Sequence, residues 1–80
     1  MPNLGEPYIE LGRGLRTLRK AAGLTQIEAS KMIRISVQSV SMIERAERGL
    51  RWDTLLRFLE VYGADLHKLA DAIQSDAVLR

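Results

Sequence analysis

The segment "LTQIEASKMIRISVQSVSMIE", residues 24–44, holds two short helical patterns separated only by Arg34 and Ile35. Thr25 and Glu28 form an S/T-x-x-E capping box, in which side chain and main chain satisfy each other's N–H groups at a helix start. Ile27 and Ala29 to Ile33 supply the inner surface of this helix. Ser36 is the expected N-cap of the next. In that second helix Val40 and Ile43 lie three residues apart and bury together. At about 100° per residue, Gln38, Met42 and Arg45 then point roughly the opposite way, with Val37 on the flank. An outward Met and a flanking Val belong either to a core arranged differently or to a surface that meets something.

The flanking sequence continues in the same style. Glu6-Pro7 opens a first helix, since proline suits a position whose N–H has no partner. Leu11, Leu15, Leu18 and Ala22 follow in phase, and Gly23 can close the helix. Gly12 and Gly14 weaken it by about 1 kcal/mol each relative to Ala. They form no phosphate loop, because no strand precedes them. The run "LRWDTLLRFLEVYG", residues 50–63, reads as a fourth helix with Leu55, Leu56, Leu59 and Tyr62 buried and Trp52 near its start. Trp52 and Phe58 are expected in the core. Asp65 caps a fifth helix carrying Leu66, Leu69, Ala70 and Ile73. No strand pattern or hairpin turn appears. The expectation is an all-α, compact five-helix single domain over 1–80, with a core of 7–74. The arm 1–6 and the tail 75–80 are expected to be flexible.

Eighty residues at 46% hydrophobic content allow one small core, and with no cysteine that core must hold without disulfides. The start "MPNLGEPYIE" lacks the basic and apolar regions of a signal peptide. No stretch approaches the roughly 20 apolar residues of a membrane span. A net charge of +2 conceals a division along the chain. Residues 11–57 hold ten Lys and Arg against four acids, a net +6, whereas the two ends together carry −4. A basic middle suits a polyanion partner, although solvated arginine faces are common.

A capped short helix, a tight turn and a second short helix make a helix-turn-helix, here over about residues 25–45. With the Leu-Thr-Gln opening, Ile35-Ser36, Val40-Ser41, Ile43-Glu44, Thr54-Leu55-Leu56 and Gly63-x-x-Leu66, the chain resembles the Cro/C1-type (XRE-like) helix-turn-helix family of bacterial and phage regulators. The likeness covers about residues 11 to 69. It implies a lambda-repressor-like fold and a third helix that enters the DNA major groove. By position, Ser36, Val37, Gln38, Ser41 and Met42 then face base edges. Thr25, Gln26, Ser39, Arg45, Arg48 and Arg51 are assigned to phosphate contact and positioning, Gln26 also bracing the reading helix. Arg19 and Glu44 match a buried structural ion pair. Family members commonly bind as dimers to paired half-sites. The outer part of the Leu66, Leu69, Ile73 and Val78 stripe is the expected dimer surface.

Three positions depart from the family pattern. Arg34 stands where glycine is preferred for a positive φ, at a cost of about 1–2 kcal/mol if the turn is kept. Ser30 replaces a small alanine. Ala46 replaces a glycine after the third helix, which would let that helix run on towards Glu47.

The resemblance implies a cytoplasmic, DNA-bound transcriptional regulator, a repressor acting on a near-palindromic operator as a homodimer. Gln38 can bond adenine, and Val37 can either touch a thymine methyl or pack on the second helix. For Met42 groove contact, a protein partner and simple exposure stay open. Val37 and Met42 would also serve a protein-interaction module of the same fold, an anti-repressor or antitoxin-like partner. Arg13 and Arg16 read as solvated. His67 has no second ligand beside it, so no metal is expected. With no nucleophile beside a base and no carboxylate pair, neither an enzyme nor a cofactor is expected.

Overall fold

Local capping chemistry sets where the helices begin. A computed structural model describes residues 4–79, with side chains through residue 75. Its five helices are α1 (Glu6–Ala21), α2 (Gln26–Ile33), α3 (Val37–Glu44), α4 (Trp52–Val61) and α5 (Leu66–Leu79). Pro7 occupies the first turn of α1. Thr25 completes the capping box at α2, its Oγ1 accepting the Glu28 N–H at 3.1 Å while Glu28 Oε1 accepts the Thr25 N–H at 2.9 Å. Ser36 caps α3, and Asp65 Oδ1 accepts the Lys68 N–H at 2.8 Å at the start of α5.

The core forms where α1 packs on α3 and α5 while α2 packs on α3 and α4. Leu15, Ala29, Ile33, Val40 and Phe58 are fully enclosed, with Ile43, Leu55, Leu59, Tyr62 and Leu69 around them. Both glycines of α1 mark close approaches. A Cβ on Gly12 would stand 2.6 Å from the Ile43 carbonyl oxygen, and one on Gly14 would stand 2.6 Å from Ile73 Cγ1. Read from sequence as weak points, they are what lets α3 and α5 approach α1.

Several expected faces are corrected. Trp52 is 61% exposed and Leu56 43%. The inward stripe of α4 is Leu55, Phe58, Leu59 and Tyr62, which leaves both residues about a quarter turn off it. Ile27 and Met32 are exposed, because α2 buries Ala29, Ser30 and Ile33 instead. On α5, Leu69 and Ala72 are buried, while Leu66 and Ala70 face outward.

The ends also differ from expectation. Helix α5 extends to Leu79. Residues 1–3 lie outside the described residues, but Leu4 is tied down by donating its N–H to the Ala46 carbonyl at 2.8 Å. Helix α3 does not run on through Ala46. That residue takes φ +59°, its N–H bonding the Ile43 carbonyl and the Glu47 N–H bonding the Met42 carbonyl. These two bonds form a Schellman close, built with alanine where glycine is usual. No helix among the described residues is long and apolar enough to cross a membrane.

Candidate nucleic-acid interface

The turn between α2 and α3 depends on one residue in an unfavourable conformation. Arg34 adopts φ 70°, ψ 45°, the left-handed geometry the missing glycine would have eased. The Arg34 and Ile35 N–H groups both donate to the Ser30 carbonyl, at 2.8 and 3.1 Å. The family turn is therefore kept, at a strain cost.

Val40 and Ile43 bury one side of α3, as their spacing predicts. Val37, Ser41, Arg45, Gln38 and Met42 then form one continuous stripe spanning about 140° of the helix. Val37, Gln38 and Arg45 are exposed, while Ser41 and Met42 are half-buried. Ser36 differs from the others. Its Oγ accepts the Ser39 N–H at 3.0 Å and donates to Ser39 Oγ at 2.9 Å, so its hydroxyl proton is spent within the helix start. Ser39 Oγ also accepts from Arg48 Nη1 at 2.8 Å and keeps its own proton for a further acceptor.

That Ser36–Ser39–Arg48 chain carries no sequence signal, since it joins residues across a loop. It fixes the α3–α4 connection beside the start of α3. Ser39, Arg48, Arg51 and Thr54 there share the rim of a concavity of about 140 Å³ floored by Ile35, Ile43 and Leu50. Arg45 and Arg51 lie 3.4 Å from Glu47 and Asp53 respectively. Both arginines are exposed, and pairs this open to water are weak and leave them able to exchange partners.

Behind the stripe, the Glu44 carboxylate collects three donors. Arg19 Nε reaches Oε2 at 2.7 Å, Arg19 Nη2 reaches Oε1 at 3.1 Å, and Gln26 Nε2 reaches Oε1 at 3.1 Å. Arg19 Nη1 goes on to the Leu24 carbonyl at 2.9 Å. One ion pair thus joins the end of α1, the start of α2 and the end of α3, with Gln26 bonded to the last residue of α3. Hydrogen bonding to Glu44 raises the Arg19 pKa, although burial opposes it. Nearby, the Tyr62 hydroxyl is buried without a hydrogen-bond partner. Burial first, and then the negative Glu44, push its pKa up, so it stays neutral.

The expected dimer residues are divided. Leu69 is buried and Ile73 packs on Gly14, so both serve the core. Leu66 is 48% exposed and shares an open apolar depression with Leu56, Leu59 and Ala64. The Val78 side chain lies outside the described residues.

Comparison with known proteins agrees with this architecture. The helix-turn-helix domain family matches residues 10–72. No curated protein matches the chain by sequence. Among solved structures, the clp gene regulator ClgR from Corynebacterium glutamicum superposes with a TM-score of 0.82 at 23% identity, covering 94% of this chain and 80% of that one. The restriction-modification controller protein C.AhdI from Aeromonas hydrophila gives 0.74 at 24% identity, covering 79% and 96%. Capped α2, left-handed turn, exposed α3 stripe and family match agree: the chain belongs to the helix-turn-helix domain family.

Proposed function

We propose that this chain is a sequence-specific double-stranded DNA-binding transcriptional regulator, a repressor that binds a near-palindromic operator as a homodimer. Helix α3 lies in the major groove. One observation carries this reading: the exposed α3 stripe stands on a rigid mount, the Arg19–Glu44–Gln26 network at its back. A reading helix needs a fixed angle, and this network supports one for α3. Gln38 offers a donor and an acceptor to adenine, Val37 meets a thymine methyl, and Ser41 and Met42 complete the base-facing stripe. Ser36 contributes mainly by capping.

Thr25, Gln26, Ser39, Arg45, Arg48 and Arg51 hold phosphates, supplying affinity and register without sequence information. The names of the two structural neighbours, a gene regulator and a controller protein, support a regulatory role. A second copy of the chain uses the outer side of α5, with exposed Leu66 at its edge. The site of action is the cytoplasm, where the DNA is.

Selection from a pool of random duplexes, with the affinity measured against salt, tests the proposal. Expected is a two-fold motif with half-sites about one helical turn apart, and log K falling with log salt at a slope near −0.9 per phosphate neutralised. If no duplex is enriched at low salt, the DNA reading fails and the Val37/Met42 face becomes a protein-docking surface.

A further inference from the structure

Arg57 stands on α4, outside every group assigned above to DNA, and its guanidinium Nη2 donates to the main-chain carbonyl of Ile33. Ile33 is the last residue of α2 and immediately precedes Arg34. The final carbonyls of a helix have no donors within it, and a cation there also meets the negative end of the helix dipole. Ser30 satisfies the two N–H groups of the turn. The turn's first carbonyl is served from α4. Arg57 lines a groove behind the turn together with Met32, Arg34, Glu60 and Val61.

The position matters because the turn has no glycine. Arg34 is held at φ 70°, where an L side chain is disfavoured, so the local chain has a ready tendency to relax towards another geometry. The Arg19–Glu44–Gln26 network restrains the far end of α3. Arg57 restrains the near end, through the residue from which the turn departs. We infer that Arg57 is a positioning residue for base reading: it ties the end of α2 to α4 and so fixes the angle at which α3 presents Gln38. This rests on the DNA-reading function proposed above and adds to it a residue that never touches DNA.

Two variants test the inference. Arg57→Met keeps the apolar stem and removes the donor, and Arg57→Lys keeps a charged donor. Both are compared with the wild type at a temperature where circular dichroism shows each fully folded. The measurements are affinity for the selected duplex and for an unrelated duplex across a salt series, and amide chemical shifts of the free proteins.

For Arg57→Met the expected loss is about tenfold on the selected duplex, the size of one base contact. The unrelated duplex and the salt slope should be unchanged, and amide shifts should concentrate at residues 34–38. Arg57→Lys should recover part of the loss. Equal losses on both duplexes with a salt slope smaller by about one would make Arg57 a phosphate contact and overturn the inference. A stability change with unchanged discrimination would reduce it to a helix cap, again overturning it. If the wild type binds no duplex, the DNA reading fails by itself. Amide shifts at residues 34–38 then decide whether Arg57 braces the turn, and shifts confined to α4 reject that as well.

Discussion

Gln38 and Glu44, six residues apart on one helix, are given opposite tasks by the proposed function. Gln38 is exposed and carries the donor-acceptor pair that matches an adenine edge. Replacing it with alanine should cost about 1–3 kcal/mol on the selected duplex and relax preference at one base position, measurable by binding to single-base variants of that duplex. Glu44 is buried beneath the stripe, its side chain 2% exposed against 9% for Arg19. Its removal leaves the guanidinium enclosed without a counter-charge. Glu44→Ala should therefore lose about 3–5 kcal/mol of stability in urea unfolding. That is a large part of the margin of any small domain. The Arg19–Glu44 pairing was legible by position, because the family motif covers it. Trp52 was not: a lone tryptophan at a helix start reads as core until the neighbouring stripe of Leu55, Phe58 and Leu59 is seen to exclude it.

Helix starts were the most legible elements, since capping is settled within four residues. Thr25, Ser36 and Asp65 all cap where expected. Two of these caps also predict a pH response. The Thr25 N–H, with the Thr25 hydroxyl, holds the Glu28 carboxyl below its usual 4.5, and the Lys68 N–H holds Asp65 below its usual 3.8. A carboxylate whose folded pKa is depressed stabilises the fold above its unfolded pKa, and that stability is lost as pH falls through the folded value. Urea midpoints should thus decline below pH 4.5, and the Glu28→Gln, Asp65→Asn double variant should decline less. Helix ends were half-legible. Gly23 and Gly63 take a positive φ, but Arg34 and Ala46 take it without being glycine. Arg34→Gly should raise stability by about 1 kcal/mol, read from chemical unfolding, because it relieves an exposed left-handed residue. The same substitution at Ala46 would also give up a buried methyl.

At the scale of the molecule, the two-helix unit is held in place by what surrounds it. Helix α1 supplies Arg19, α2 supplies Gln26, and the α3–α4 loop supplies Arg48, all converging on α3. The basic middle of the chain, net +6 over residues 11–57, contains all three of these residues. The acidic remainder includes all of α5. Periodicity and caps were enough to read five helices and their order. They could not tell which of two adjacent apolar residues turns inward, as with Leu55 and Leu56, because only the neighbouring helix decides that. Nor could they read Gly12 and Gly14 as contact points, since the carbonyls and side chain they admit lie about 30 and 60 residues away in sequence. The central claim is that α3 and its mount meet DNA as one surface. Amide chemical-shift mapping with the selected duplex tests it most directly. Perturbation should centre on Thr25, Gln26, residues 36–42, Arg45, Arg48 and Arg51; perturbation centred instead on the Arg13, Arg16 and Lys20 face of α1, with α3 unmoved, would contradict it.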